Sequence, residues 1–397
     1  MNKLTVRDVD VSSKKVLVRV DFNVPLDEKT GEITDDSRIR AALPTIEYLI
    51  EQGAKVIIGT HLGRPDGKSI ENMRLAVVGC RLSQILDKQV VTTRDCVGLE
   101  VEEAVNNMNS GDILLLENLR FHAEEESNDT GFARRLAGLA DIYVNDAFGT
   151  SHRSHASITK ITEYLPSVAG LLLDKELETL GNILKDPAHP FGAIVGGAKV
   201  SDKVTMLENI MNKVDILLVG GGMAATFLKA KSYKVGMSLI EEDRLETVAG
   251  LMEKAEANGV KLLLPVDVVV TPETKAGVKA ETVPVENIPD HQSIVDIGQR
   301  TINNFCNELR GCKTVFWNGT MGIHEIPQFA QGTLEIARQL AELEAVTVIG
   351  GGSTGEAVTN MGFADRMTFI STGGGASLRL MGGQELSGVT VLLDRDK

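Results

Sequence analysis

The apolar positions of this chain fall into short, nearly continuous runs, separated by stretches with a helical period. The runs predict strands at 16–22, 55–60, 112–119 and 141–147, then at 191–197, 215–221, 261–270, 314–319, 345–351 and 367–372, with a last one at 389–393. Runs that are apolar throughout, rather than alternating, are typical of strands covered on both faces of a parallel sheet. Between them lie amphipathic stretches such as 37–52 and 326–343. Strand and helix in repeated alternation predict an α/β fold with mainly parallel sheets. The alternation breaks at 170–190. There 170–186 reads as one amphipathic helix, and Pro187 and Pro190 stop it, since proline disfavours helix at and before itself. A boundary at this helix leaves two segments of roughly 170 and 210 residues, each enough for one domain.

The two segments end their strands differently. In the second, glycines follow the strands at 194–203, 217–227, 316–322 and 348–358. Glycine lets a backbone approach a ligand closely, and a helix N-terminus just beyond it offers N–H groups to an anion. Four such ends suggest a phosphate-rich ligand such as a nucleotide, against the plainer reading of tight strand-to-helix turns. Lys199 and Lys203 follow Gly196 and Gly197 at the expected start of a helix, where an ammonium can meet a phosphate. There is no GxGxxG spacing for a dinucleotide fold. Gly63–Ser69 is one residue short of a P-loop, because position 62 is Leu62.

In the first segment the strand ends carry Arg and His: Arg19 with Asp21 and Asn23, His61 with Arg64, Arg120 with His122, and Arg153 between His152 and His155. Arg38 and Arg40 open the first long helix. Parallel strands would bring these groups to one rim, an anion site for a small substrate bearing phosphate and carboxylate. Ser151 and Ser154 beside His152 and His155 lack the GxSxG elbow of a hydrolase. A metal at His152 and His155 would sit unfavourably beside Arg153.

This local basic cluster stands inside an acidic chain of 397 residues with net charge −14. That balance disfavours sequence-independent nucleic-acid binding. No apolar run approaches the ~18 residues of a membrane span. The four cysteines, Cys80, Cys96, Cys306 and Cys312, form no CxxC pair, which fits thiols in a reducing cytoplasm.

The segments VLVRVDFNVP (16–25), THLGRP (60–65), LLLENLRF (114–121), NDAFGTSHRSHAS (145–157), AIVGGAKVSDKV (193–204), LLVGGGMAATFL (217–228), FWNGTMGIHE (316–325) and STGGGAS (371–377), in this order, resemble the phosphoglycerate kinase family along essentially the full length. The resemblance implies two Rossmann-like domains with mainly parallel sheets, joined by a hinge helix. It places a triose-substrate domain at 1–169, the hinge helix at 170–186, a nucleotide-binding domain at 187–378, and a C-terminal segment at 379–397 returning to the first domain. It implies reversible phosphoryl transfer from 1,3-bisphosphoglycerate to ADP, with Mg2+ accompanying ADP or ATP, in a cytoplasmic monomer without nucleic-acid or membrane partners. The triose substrate would be held by Asp21, Phe22, Asn23, Arg38, His61, Leu62, Gly63, Arg64, Arg120 and Arg153. The nucleotide would be held by Gly196, Gly197, Lys199, Lys203, Gly220, Gly221, Glu325, Gly351, Gly352, Ser353 and Thr354. Arg38 and Lys199 would act on the transferring group. The family usually has aspartate near magnesium where Ser353 stands, proline at Thr320, and an acidic residue near Arg379, so the metal ligands stay open. A homologue that only binds its ligands, as a sensor or scaffold, is the competing expectation. A nicotinamide dehydrogenase is a weaker third.

Overall fold

The computed structural model describes residues 2–395. They form two compact units that divide within the helix Leu171–Lys185: residues 2–178 with 385–395, and residues 179–384.

The first unit is built on a sheet of β1 (Lys15–Arg19), β2 (Lys55–Gly59), β3 (Val90–Thr92), β4 (Ile113–Leu115), β5 (Ile142–Asn145) and β6 (Ser167–Ala169). All are parallel, in the order β3-β4-β2-β1-β5-β6. One face carries Val16, Val18, Val56, Ile58 and Val144 into a core. The helix Ser37–Glu51 packs there through Ile39, Ala42, Ile46 and Leu49, a stripe at helical spacing. The chain runs from β1 to one side and returns for β5 on the other. The crevice of such a sheet opens where the strand order reverses, at the carboxyl ends of β1 and β5.

The second unit repeats the plan. Its parallel sheet runs β15-β14-β13-β7-β8-β9, from β7 (Phe191–Val195), β8 (Ile216–Val219), β9 (Lys261–Leu263), β13 (Thr314–Asn318), β14 (Val346–Ile349) and β15 (Phe369–Ile370). The order reverses between β7 and β13, which pair from Thr314↔Phe191 to Asn318↔Val195. A separate antiparallel sheet, β11-β10-β12, comprises β10 (Asp267–Thr271), β11 (Glu281–Pro284) and β12 (Ser293–Ile297).

Four expectations are corrected. The run 261–270 is two strands in two sheets, because Pro265 lies between them and cannot donate to a ladder. The run 389–393 is no strand: Ser387–Thr390 is a short helix. Docking overrides its β-branched composition, since Gly388 N–H donates to Ser151 O at 2.8 Å and Gly388 O accepts from Asn145 Nδ2 at 2.8 Å. The stretch 326–343 begins as a 3-10 turn, Pro327–Phe329, and is α-helical only over Gln331–Ala341. The helix expected at Lys199 starts at Val204, after a turn that carries both lysines. Among the described residues, no helix is long and apolar enough to cross a membrane.

Candidate active site

In the first unit, the segments after β1, β2 and β4 are stitched together at the crevice. Thr60 Oγ1 donates to Val20 O at 3.0 Å and accepts from Phe22 N at 2.9 Å. Asn23 Oδ1 accepts from Gly63 N at 2.8 Å. Asn118 Oδ1 accepts from Leu62 N and Arg120 N, while its Nδ2 donates to Leu62 O at 2.8 Å and Met73 O at 3.0 Å. Gly63 has φ +66°, which lets the chain turn between His61 and Arg64. On this frame Arg38 meets Asp21 at 2.5 Å, and Asp21 Oδ1 lies 3.9 Å from His61 Nδ1.

The Arg and His groups gather but do not play equal parts. Arg64 is exposed and Arg153 half-buried. The Arg120 side chain is only 3% exposed, donates to Gly63 O at 2.9 Å, and lies 3.3 Å from Glu126. Arg19, expected at the rim, is turned inward and buried. The side chains of Phe22 and Leu62 also belong to the core, so those two residues face the crevice with backbone at most. Burial, then Arg19, Arg120 and Arg38, hold His61 well below the usual imidazole range. Burial, then Arg19, Arg120 and Arg153, push His155 down to about 3. Both rings are therefore neutral near pH 7, and the positive charge of this crevice is carried by guanidinium groups.

In the second unit, the ends of β7, β8 and β13 are interlocked by backbone hydrogen bonds. Gly196 N donates to Asn318 O at 3.0 Å, Gly197 N to Thr320 O at 2.9 Å, Gly221 N to Met321 O at 3.0 Å, and Met223 N to Gly197 O at 2.9 Å. These glycines thus bring backbone against backbone, and the N–H groups of Gly197 and Gly221 are already engaged. At these strand ends the glycines serve tight turns between neighbouring strands. The Gly351–Thr354 turn differs. Gly351 (φ +113°) precedes the helix Gly352–Asn360, whose first N–H groups have no intrahelical acceptor. The helix Gly374–Met381 begins beside it: a Cβ on Gly374 would lie 3.2 Å from Gly352 N. Two helix N-termini therefore converge, a setting that favours an anion.

Lys203 is buried next to this turn. Its ammonium donates to Asn318 Oδ1, and Asn318 Nδ2 donates in turn to Gly350 O. Burial lowers the Lys203 pKa to about 8. Lys199 is exposed on the preceding loop. That loop is tied down by Glu241, which accepts from Val200 N at 2.6 Å, from Ser201 N at 3.1 Å and from the Ser201 hydroxyl. Alongside runs a cleft of about 490 Å³, walled by Gly197, Gly221, Leu239, Ile323, Glu325 and Ser353 among others. One wall is apolar, and Gly197, Gly221 and Gly222 leave its other side free of bulky side chains.

The phosphoglycerate kinase family model matches residues 6–384. The chain belongs to the phosphoglycerate kinase family. It is 54% identical over 395 residues to the phosphoglycerate kinase of Pelotomaculum thermopropionicum, and 52% identical to that of Moorella thermoacetica, covering 100% of both chains in each case. The solved phosphoglycerate kinase of Coxiella burnetii superposes with a TM-score of 0.84 at 39% identity over 98% of each chain. That of Pyrococcus horikoshii gives 0.84 at 32% identity over 98% of each chain. The protein is accordingly an enzyme, and its activity is glycolytic phosphoryl transfer between 1,3-bisphosphoglycerate and ADP.

The donor set around the nucleotide cleft does not fit a magnesium ion held by protein alone. Mg2+ prefers carboxylate, phosphate and water oxygens in octahedral array. Glu325 is the carboxylate that lines the cleft, it lies 3.3 Å from His324 Nδ1, and position 353 offers a hydroxyl. The sequence points to the arginines, lysines and glycines but not to Thr60 and Asn118, which tie together the segments around His61 and Arg120, nor to Asn318 and Glu241, which hold Lys203 and the loop of Lys199. Their signal was weak, a lone polar residue at the end of an apolar run. What reveals each is its partner more than 15 positions away.

Proposed function

We propose that the first unit holds the triose substrate, the second holds the nucleotide, and domain closure brings the two half-sites together around the transferring phosphoryl group. The observation that carries this is the division of charge chemistry between the units: guanidinium groups at one crevice, a buried lysine and two convergent helix N-termini at the other. The leaving carboxylate of an acyl phosphate needs no general acid, so the protein's task is to position and neutralise. In this reading Asp21, Asn23, Arg38, His61, Gly63, Arg64, Arg120 and Arg153 face the triose, with Phe22 and Leu62 contributing backbone only. Gly196, Gly197, Gly220 and Gly221 shape the nucleotide cleft, while Lys199, Lys203, Glu325 and the Gly351–Thr354 turn meet the nucleotide. Arg38 and Lys199, one on each unit, neutralise the phosphoryl oxygens. Closure also excludes water that would hydrolyse the acyl phosphate. A coupled assay for ATP formation from 1,3-bisphosphoglycerate and ADP tests the reading against a protein that only binds. Binding of both ligands without turnover would overturn it.

The half-site division predicts that Arg64→Ala weakens 3-phosphoglycerate binding by about 1.5–3 kcal/mol, the worth of a charge-assisted bond, and leaves ADP affinity alone. Calorimetry with each ligand separates the two. Equal losses for both would count against the division. Arg120→Ala, by contrast, should also lower thermal stability, since Arg120 anchors Gly63 O.

Lys203 gives a pH signature. Its pKa in the free protein is about 8. A bound phosphate raises it, so ADP binding takes up a proton between about pH 8 and the higher pKa of the complex. The lysine's contribution to affinity is complete below about pH 8, declines between there and the complex's pKa, and is gone above it. Calorimetry at pH 9 in buffers of different ionisation enthalpy should show this uptake, and Lys203→Met should abolish it.

The cytoplasmic, monomeric character of the family carries over to this reading, as does its Mg2+, here held chiefly by nucleotide phosphates and waters. Ser353→Asp should then lower the Mg2+ concentration giving half-maximal rate. An unchanged midpoint would mean that position 353 does not face the metal.

A further inference from the structure

We propose that Arg19 is a positioning residue that fixes His61 in one tautomer, with the proton on Nε2 and Nδ1 turned to Arg19, and that Ser157 and Glu125 hold Arg19 for this purpose. The proposal builds on the reading of His61 as a triose ligand, because the fixed tautomer is what makes His61 a neutral N–H donor to an anionic substrate.

The argument begins with the guanidinium. Arg19 ends β1 with its side chain 1% exposed, and each of its three nitrogens has a separate partner. Nε donates to Ser157 Oγ at 2.9 Å, Nη1 donates to Val20 O, and Nη2 lies 3.3 Å from His61 Nδ1. A guanidinium has donors and no acceptor, so the ring nitrogen facing it must supply a lone pair. Only the tautomer with its proton on Nε2 does so. Asp21 is the group that would pull the other way, since a carboxylate beside Nδ1 favours a proton there. It lies at 3.9 Å, beyond hydrogen-bond reach, and its other oxygen is taken by Arg38. The remaining charges around the ring, Arg120 and Arg38, disfavour the imidazolium, as does His155 in its charged form.

Arg19 is itself locked from behind. Ser157 Oγ, which accepts from Arg19, donates to Glu125 Oε1 at 2.6 Å, and Ser157 N donates to Glu125 Oε2 at 2.9 Å. Glu125 is fully buried, with Oε1 4.0 Å from Arg19 Nη2, so it balances the buried cation. Tyr143 OH donates to Ser157 O at 2.7 Å and pins the same serine from the sheet. A buried, satisfied chain from Glu125 through Ser157 and Arg19 to His61 leaves little freedom for the ring to flip.

The test is long-range proton–nitrogen NMR of the imidazoles in the full-length enzyme, which has seven histidines, with His61 assigned by its loss in His61→Gln. In the wild type, His61 should show protonated Nε2 and bare Nδ1, with no titration between pH 5.5 and 8. Ser157→Ala removes the serine hydroxyl, and with it the bonds to Arg19 and Glu125, while keeping a small buried side chain. In it the Nδ1–H form of His61 should become populated and 3-phosphoglycerate affinity fall roughly 3- to 10-fold, with ADP affinity unchanged. Arg19→Lys should show the same tautomer change wherever it folds. A wild-type His61 protonated on Nδ1, or a Ser157→Ala spectrum identical to wild type, would overturn the proposal. If the tautomer is as proposed and shifts in Ser157→Ala, but His61 resonances ignore added 3-phosphoglycerate, the tautomer device stands and the placement of His61 as a triose ligand falls.

Discussion

Arg38→Ala should lower kcat by about 10³-fold, the low end of what a positively charged group on a transferring phosphoryl is worth, while 3-phosphoglycerate affinity changes far less. Arg38 is the second residue of its helix, its side chain is 27% exposed, and its guanidinium meets the Asp21 carboxylate at 2.5 Å. That contact aims the guanidinium along the crevice without burying it, so Arg38 remains available to a group arriving from outside. Arg38→Lys should restore activity only in part, because an ammonium cannot present two parallel N–H groups. Steady-state kinetics in both directions, with 3-phosphoglycerate binding measured separately, checks the split. An unchanged kcat with a raised KM would make Arg38 a ground-state ligand. Asp21→Asn is the companion variant. If Asp21 merely aims Arg38, its loss should cost much less than the loss of Arg38.

The fold was legible to the extent that its causes are local. Both parallel sheets, the helix Ser37–Glu51 and the helix Leu171–Lys185 follow from periodicity and from proline. β3 and β6 were missed because they are three residues long, and β3 is largely exposed, so neither makes an apolar run. The end of the chain was misread because its conformation is set by partners such as Asn145 and Ser151, about 240 positions away. Functional residues divide in the same way. Arg64 and Lys203 can be recognised by type and by place after a strand. That Arg19 faces inward could not be read, because Arg19, Arg64 and Arg120 look alike in a sequence. Where the Arg19 side chain goes is set by Ser157 and the buried Glu125, both more than 100 positions away.

The glycines of the second unit are the clearest case of a motif with two readings, and they carry the largest stability prediction. Gly319→Ala should destabilise the second unit by more than about 4 kcal/mol, or leave a folded protein with a ruined nucleotide half-site. Gly319 has φ +96°, a region that side chains avoid. A Cβ there would lie 2.2 Å from Gly196 O and 2.8 Å from Gly197 N, both backbone atoms that cannot swing aside. The ends of β7 and β13 would have to part. That would break the bonds from Gly196 N to Asn318 O and from Gly197 N to Thr320 O, and would displace Asn318 from Lys203. Gly250→Ala is the control. Gly250 lies inside the helix Leu245–Ala257, and nothing within 4 Å would meet a new Cβ. Alanine there should be neutral or stabilise by up to about 1 kcal/mol through helix propensity. Urea unfolding of both variants, followed with ADP titration of whatever folds, decides the matter. A Gly319→Ala protein as stable as wild type with normal ADP affinity would show that the backbone at this strand end can yield. The glycine would then be required neither by the meeting of β7 and β13 nor by the nucleotide.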